Sequence, residues 1–408
     1  MVIRQVSRAV IARSVALALG AALLLPVPGA AARSREPEPP RPRPLPARSQ
    51  LDRPGTQANP GGPGVAAPPS DLSALSWIVA DARSGEILAA HDAHRKLPPA
   101  STLKALFAVT ALPHLRSGGT HTVTDGELEG IGFGSSMVGV EAGYRYRVDD
   151  LWRGVFLSSG NDAVRVLSAM NGGFAATARQ MQAKARSLGA LDTKVVSPDG
   201  YDAEGQVSSA YDLAVFGREG LTDPEFIRYA STKLADFPGG RVTYPIQNTN
   251  RLLTGADGVE AYRGLIGVKN GYTTNAGNTL IAAAERDGRT VIATVMNPQD
   301  GGHAVYEEAR ALLDWGFTAV GRVRPVGSLL PPPPPPRPAP GAVSPSAAAP
   351  SPRPLAVSVA QQGEVAERDG GWSTGSVVGT GAVLALAGAA VLRSRGRARG
   401  QRGARGEH

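Results

Sequence analysis

The stretch KLPPASTLKALFAVTAL, residues 96–112, decides the architecture of the central part of this 408-residue chain. A helix is predicted to begin near Ser101, just after two prolines, and Pro113 ends it. Its apolar residues cover more than one face of the helix, so we expect other elements to surround it. The sequence around it must therefore supply a core large enough to bury a helix.

Short apolar runs predict strands on both sides of this helix along the chain, and amphipathic runs predict further helices. The predicted strands are residues 77–80, 86–89, 265–268, 279–284 and 290–296. The predicted helices are residues 149–156, 162–170, 174–188 and 305–317. An Asp-Gly turn joins the last two strands and favours a hairpin. This order predicts an α/β fold of the α+β type, in which helices flank an antiparallel sheet and form an additional helical lobe.

Both ends of the chain differ in composition from this middle part. Arginines, a short apolar run and three small residues are typical of an export signal. Proline-rich stretches predict disordered linkers, and an uncharged apolar run followed by arginines predicts a membrane anchor with a cytoplasmic tail. The predicted segments are a signal peptide over 1–32, a linker over 33–70, one globular unit over 71–325, a second linker over 326–371, a transmembrane anchor over 372–392 and a basic tail over 393–408. The globular unit is therefore expected outside the membrane.

The positive charge of the chain resides in its ends. The formal net charge is +8, of which residues 1–70 and 326–408 carry +6 and +5, so residues 71–325 carry −3. A nucleic-acid partner is therefore not expected. The chain has no cysteine, which excludes disulfides and thiolate catalysis. His91 and His94 form the one close histidine pair, without a zinc motif, so we expect no metal site and no cofactor.

Lysine is rare in this chain, which has 37 arginines and six lysines. An arginine keeps its proton at working pH, whereas a buried lysine can lose it. Lys104 follows Ser101 by three residues on the predicted helix, so the amine and the hydroxyl share one face. Burial among apolar neighbours lowers the pKa of such an amine, which can then accept the serine proton. The same spacing also arises by chance, and serine is a common helix cap.

Two further triplets place polar side chains where a substrate can reach them. Ser159-Gly160-Asn161 lies in the predicted break between two helices, where a hydroxyl and an amide can relay a proton and hold a substrate amide. Lys269-Asn270-Gly271 lies at the end of a predicted strand, where a cation and a glycine suit an extended peptide against the sheet edge. Seen alone, each triplet is an ordinary turn.

In this order, the Ser101–Lys104 pair and the two triplets resemble S-x-x-K, S-x-N and K-T-G, the motifs of serine acyltransferases that bind penicillin. Longer blocks around them resemble the D-alanyl-D-alanine carboxypeptidase family. These blocks are KLPPASTLKALFAVTAL (96–112), FLSSGNDA (156–163), SLGALDTKVVSPDG (187–200) and IGVKNGYT (266–273). The resemblance covers nearly all of residues 71–325 and implies a β-lactamase/transpeptidase-like fold.

The family resemblance also implies a role for each polar residue of the triplets. The implied roles are nucleophile for Ser101, general base for Lys104, proton donor to the departing D-alanine for Ser159, and substrate binding for Asn161, Lys269, Asn270, Gly271 and Thr273. Backbone N–H groups, including that of Ser101, would hold the oxyanion. Asn270 departs from the family pattern, which has Thr or Ser there, and this leaves substrate preference and the reaction with β-lactams open.

The resemblance implies removal of the terminal D-alanine from peptidoglycan stem pentapeptides that end in D-Ala-D-Ala, with β-lactams as inhibitors. Three alternatives stay open at this point. A D,D-endopeptidase needs no other residues. A β-lactamase of class A shares the fold, although its water-activating Glu-x-x-Leu-Asn motif does not occur in the chain. A non-catalytic wall-binding protein would have lost Ser101 or Lys104, and both are present.

Overall fold

An antiparallel sheet of seven strands forms the centre of the described residues, which are residue 36, residues 38–40 and residues 49–331 of a computed structural model. The strands are β1 (Thr56–Ala58), β2 (Ala74–Asp81), β3 (Glu86–His91), β4 (Thr120–Thr122), β5 (Arg145–Arg147), β6 (Leu234–Gly239), β7 (Val242–Gln247), β8 (Leu265–Thr273), β9 (Gly277–Arg286), β10 (Arg289–Pro298) and β11 (Gly327–Ser328). The order across the central sheet is β1-β3-β2-β10-β9-β8, and β11 pairs with β3. β8 therefore lies at one edge, and the pairs β4-β5 and β6-β7 are separate from this sheet.

Helices cover both faces of the sheet and build the lobe beside it. The α-helices are α1 (Lys104–Ala111), α2 (Val148–Leu157), α3 (Asn161–Met170), α4 (Phe174–Ser187), α5 (Ala210–Gly220), α6 (Pro224–Ala230), α7 (Arg251–Thr254) and α8 (Ala304–Ala319). All eight residues of α1 are buried, as its apolar composition predicted. Helix α1 packs between α4 and α5, so the lobe is assembled around it.

Side chains of the central strands alternate between two hydrophobic layers, because successive strand residues point to opposite faces. Val79 and Ala293 are cross-strand partners in the layer that contains α8. Their neighbours Ala80 and Ile292 are partners in the layer that contains α1 and α5. Removing both layers from water is the main force that holds the helices on the two faces.

The structure confirms the predicted fold class, and the predicted strands and helices all have counterparts in it. Two details of these elements differ from the prediction. The helical segment begins near Ser101 as predicted, but Ala100–Leu103 form a 3-10 helix, and α1 itself begins at Lys104. Strand β8 continues to Thr273, so the Lys269 triplet lies inside the strand and not at its end. In both cases the local pattern indicated the element but not its limit, which neighbouring elements decide.

Sequence analysis missed the β6-β7 pair and helix α5. Pro238 and Pro245 lie within these two strands, and proline removes a donor from a strand ladder. Gly217 weakens the intrinsic helix propensity of α5. The N-cap of α5 compensates, since the Ser209 side chain accepts a hydrogen bond from the backbone N–H of Asp212.

The folded unit extends beyond the predicted bounds of 71–325. Residues 56–58 form β1 against β3, and Trp315 Nε1 donates to the carbonyl of Ala66 at 2.9 Å. Residues 56–58, which lie in the predicted disordered linker, therefore join the sheet, because their backbone pairs with the edge of β3. No helix among the described residues is long and apolar enough to cross a bilayer. The predicted signal peptide and anchor lie outside those residues.

Gly217 offers a test of the packing between α5 and the sheet. A methyl group here would lie 2.7 Å from Cγ2 of Ile281 and 2.7 Å from Cδ1 of Ile292. Both isoleucines are fully buried, so Gly217→Ala is expected to lower the free energy of unfolding by about 1–3 kcal/mol, despite the better helix propensity of alanine. Urea unfolding of the full chain measures this change. Gly126→Ala is the control, since a methyl group there meets nothing within 4 Å. Equal midpoints for the two variants would contradict the packing.

Candidate active site

Ser101 and Lys104 meet where the 3-10 turn passes into α1. Ser101 lies in that turn, and Lys104 is the first residue of the helix. The Lys104 Nζ donates a hydrogen bond to the Ser101 Oγ at 2.8 Å. The side-chain contact expected from their spacing is therefore present.

The Lys104 amine is buried and has three acceptors. Lys104 is 1% exposed, and it also donates to the Asn161 Oδ1 at 2.7 Å and to the backbone carbonyl of Asp199. Burial lowers the pKa of Lys104 to about 8, although the negative charges of Asp199 and Asp162 favour the protonated form. A substantial fraction of the amine is therefore neutral at mildly alkaline pH and able to take a proton.

The turn between α2 and α3 brings Ser159 and Asn161 to the same place. Helix α2 ends at Leu157, and Asn161 is the first residue of α3. Ser159 has a φ of 58°, in the left-handed region that few residues other than glycine adopt. Its Oγ is buried and has no hydrogen-bond partner among the described residues. Backbone strain and an unsatisfied buried hydroxyl together indicate a functional position.

Asp162 holds this turn against the loop before α2. Its buried carboxylate accepts hydrogen bonds from the backbone N–H groups of residues 138–140 at 2.7 to 2.9 Å. Asn161 donates its own backbone N–H to the carbonyl of Ser136 at 2.8 Å. The positions of Ser159 and Asn161 therefore depend on residues 136–140, which no sequence motif connects to them.

Strand β8 passes directly beside Ser101 at Gly271. A Cβ atom at Gly271 would lie 2.6 Å from the backbone nitrogen of Ser101 and 2.9 Å from the Thr279 Oγ1. A side chain has no room here, which explains the glycine. The Thr279 hydroxyl donates to the carbonyl of Pro99 at 3.0 Å and so ties β9 to the chain just before Ser101. We call the space bounded by Ser101, β8 and the Ser159 turn the active-site groove.

Lys269 is a second buried lysine, also 1% exposed. Its cross-strand partner Ile281 lies in the layer of α1, so the Lys269 side chain is on the same side of the sheet as Lys104. Burial, together with the charge of Lys104, lowers the pKa of Lys269 well below its usual value. A carboxylate bound beside Lys269 would restore its charged form, because opposite charges stabilise each other in a desolvated site.

Asn270 and Thr273 are already bonded to neighbouring loops. The Asn270 Oδ1 accepts a hydrogen bond from the Thr249 Oγ1 at 3.0 Å and lies 3.5 Å from the Lys269 Nζ. The Thr273 Oγ1 donates to the Asp202 Oδ1 at 2.7 Å. Both hydrogen bonds therefore fix the position of β8 beside the groove.

The loop that ends the block 187–200 lies beneath Lys104, a contact that was not predicted from the sequence. The Asp199 carbonyl accepts a hydrogen bond from Lys104, and Gly200, at a φ of 78°, is pressed against the Ala100 carbonyl so closely that no Cβ fits. The dipeptide Asp-Gly after Pro198 is a turn signature. It indicates a turn at this point of the sequence, but it carries no information about which helix the turn contacts.

The histidine pair belongs to the framework of the fold. The His91 Nδ1 is hydrogen-bonded to the Thr56 Oγ1 at 2.9 Å, and the His94 Nδ1 to the Asp192 Oδ2 at 2.8 Å. Burial lowers the pKa of His94, but the hydrogen bond to Asp192 and the nearby carboxylates raise it by more, so the pKa lies above its usual value. Within residue 36, residues 38–40 and residues 49–331, no group of three or more His, Asp or Glu side chains is placed to hold a metal ion.

The arrangement is that of a serine acyl-transfer site. A serine lies beside a buried lysine, an asparagine accepts a hydrogen bond from the same lysine amine, and a second lysine lies on the adjoining strand. The profile of the family described as D-alanyl-D-alanine carboxypeptidase matches residues 64–300. D-alanyl-D-alanine carboxypeptidase DacB2 of Mycobacterium tuberculosis is 38% identical over 273 residues, 65% of this chain and 90% of that protein. DacD of Escherichia coli is 35% identical over 268 residues, 62% of this chain and 66% of that protein.

Solved structures agree with these relatives. The crystal structure of a D-alanyl-D-alanine carboxypeptidase from Mycobacterium tuberculosis is similar with a TM-score of 0.60 and 36% identity, covering 66% of this chain and 100% of that one. The chain therefore belongs to the D-alanyl-D-alanine carboxypeptidase family. This membership confirms the predicted resemblance, the predicted fold and the enzyme class, a serine peptidase of cell-wall metabolism.

Removal of the Asp162 carboxylate tests the support of the Ser159 turn. Asp162→Ala leaves four backbone N–H groups, those of residues 138–140 and of Ala163, without this acceptor, so the free energy of unfolding is expected to fall by about 3 kcal/mol or more. Thermal unfolding of the full chain would record a lower midpoint. Asp236→Ala, at an exposed aspartate, is the matched control. A midpoint equal to that of the control would show that Asp162 does not hold the turn.

Proposed function

We propose that this chain removes the C-terminal D-alanine from peptidoglycan stem peptides through an acyl-enzyme on Ser101. The observation that carries the proposal is the Lys104 amine, buried, with a pKa lowered to about 8 and 2.8 Å from the Ser101 Oγ. A serine hydroxyl is a weak nucleophile unless a base takes its proton, and this amine is placed to do so. Membership of the family supports the substrate class.

In the acylation step, neutral Lys104 takes the proton of Ser101 while the Oγ attacks the carbonyl carbon of the penultimate D-alanine. Backbone N–H groups at the groove, including that of Ser101, hold the developing oxyanion. The C–N bond then breaks. The Ser159 hydroxyl passes the proton from Lys104 to the departing amine, and free D-alanine leaves. The buried Ser159 Oγ, without a partner among the described residues, supports this relay.

In the deacylation step, water replaces the amine. Lys104, neutral again, takes a proton from the water as its oxygen attacks the ester carbonyl. The bond between that carbon and the Ser101 Oγ breaks, and the proton returns to the serine. The products are a stem tetrapeptide and the regenerated enzyme.

Substrate binding is assigned to the two walls of the groove. Lys269 would pair with the terminal carboxylate of the substrate. The negative charge of that carboxylate would favour the protonated, charged form of the buried Lys269 amine. Asn161 would hold the substrate amide on the other wall, and Gly271 leaves room for an extended peptide beside β8. Asn270 and Thr273 support that strand and are proposed as further contacts. A β-lactam offers Ser101 a strained amide, and its opened ring stays attached as a lasting acyl-enzyme.

We further propose that the enzyme works on the extracytoplasmic face of a bacterial cell membrane. The export signal predicted over residues 1–32 and the anchor predicted over residues 372–392 support this location. The basic tail over residues 393–408 would lie in the cytoplasm. The proline-rich part of residues 326–371 that follows β11 would act as a spacer between the anchor and the folded unit.

Release of free D-alanine from a stem pentapeptide tests the proposed activity. The full chain is expected to release it catalytically, and Ser101→Ala to reduce the rate to background, a loss of roughly 10³-fold or more. Ser117→Ala, at an exposed serine, is the control. D-alanine release that persists in Ser101→Ala would show that Ser101 is not the nucleophile. Rapid turnover of benzylpenicillin without release would indicate a β-lactamase, and cleavage of crosslinked dimers alone a D,D-endopeptidase.

The rate of acylation by benzylpenicillin should depend on pH through Lys104. Its amine acts only when neutral, so the rate is expected to rise about tenfold per pH unit below pH 8 and to level off above it. Lys104→Arg keeps the charge but cannot give up its proton, so it should not be acylated. Stopped-flow labelling from pH 6 to pH 10 measures both. A flat profile, or an active Lys104→Arg, would refute the base assignment.

A further inference from the structure

We propose that Asp202 selects substrates in which the residue before the D-Ala-D-Ala pair carries a positively charged amine. This inference rests on the function proposed above. The side chains of lysine and diaminopimelate both have such an amine. A crosslink converts the amine into a neutral amide. Asp202 is therefore assigned as a specificity residue that favours stems whose third side chain is still free.

The Asp202 carboxylate is held in place at the end of β8. Its Oδ1 accepts a hydrogen bond from the Thr273 Oγ1 at 2.7 Å, and its Oδ2 accepts one from the backbone N–H of Asn275 at 3.2 Å. Each carboxylate oxygen has two lone pairs, so one on each oxygen remains for a further donor. Among residues 49–331, no lysine or arginine forms an ion pair with Asp202.

The direction of a bound peptide follows from three points along β8. Side chains alternate along a strand, so Lys269, Gly271 and Thr273 lie on the same face. The terminal carboxylate is assigned to Lys269, and the reacting carbonyl must lie at Ser101, whose nitrogen faces Gly271. The rest of the stem therefore continues toward Thr273. Two strand residues span about 7 Å, so the next substrate residue lies beside Thr273 and Asp202.

Electrostatics favour an amine at this point. Asp202 is partly buried, and its hydrogen bonds with Thr273 of β8 and with Asn275 just after that strand leave it little freedom, so an approaching ammonium meets a carboxylate that is already ordered. An ordered, partly desolvated partner makes a stronger ion pair than a mobile surface carboxylate. The neighbouring Glu204 is exposed and makes no hydrogen bond or ion pair with β8. Of these two acidic residues, Asp202 is therefore the one placed to bind a substrate amine beside β8.

Two tripeptides that differ only in the amine test the proposal with the full chain. These are Nα-acetyl-L-Lys-D-Ala-D-Ala and its Nα,Nε-diacetyl form, and D-alanine release gives kcat/KM for each. The unmodified enzyme is expected to prefer the free amine by about 5–10-fold, which is the size of one partly buried ion pair. In Asp202→Asn the ratio should fall to about one, and in Glu204→Gln it should keep its original value.

The ratio separates selectivity from a general loss of structure. If Asp202 only supported β8, Asp202→Asn would slow both substrates equally and keep the ratio, which would overturn the proposal. A ratio near one in the unmodified enzyme would overturn it as well. A second readout needs no variant: raising the salt concentration from about 0.05 M to about 0.5 M should lower the preference, because salt screens an accessible ion pair. Absence of release from either tripeptide would instead refute the proposed function.

Discussion

The buried amine of Lys104 is held by acceptors from three separate segments of the chain. They are the Ser101 hydroxyl in the 3-10 segment before α1, the Asn161 amide at the start of α3, and the Asp199 carbonyl in a loop. A buried amine without such bonds is costly, so the three segments are stable only when they converge on it. The same burial that requires these bonds also lowers the pKa of the amine. The convergence of the three segments and the lowered pKa proposed to serve catalysis therefore depend on one group.

The sheet forms one wall of the active-site groove that contains the Lys104 amine. Gly271 brings the backbone of β8 against the nitrogen of Ser101, and the Thr279 hydroxyl links β9 to the carbonyl of Pro99. The groove therefore has a rigid strand on one side and the Ser159 turn on the other. A strand edge can bind an extended peptide backbone along its length, so the substrate contacts proposed at Lys269 and at the far end of β8 lie along one strand.

The site concentrates features that cost stability. Ser159 has a left-handed backbone and a buried hydroxyl that finds no partner in the described part of the chain, and two lysines are held where burial disfavours their charge. Such costs persist only where the surrounding structure fixes them. Here the Asp162 carboxylate, with hydrogen bonds to residues 138–140, and the two hydrophobic layers of the sheet hold the strained residues in place.

The sequence alone determined the pairing of Ser101 with Lys104, the helix break at Ser159 and the short apolar strands, because each depends on residues close together in the chain. Only the tertiary structure decided that Asp199 and Asp202 belong to the groove and that residues before 71 join the sheet. It also decided that Lys269 lies within β8. These contacts join residues far apart in sequence. They arise from how helices and strands pack, and a local pattern of residues carries no record of that packing.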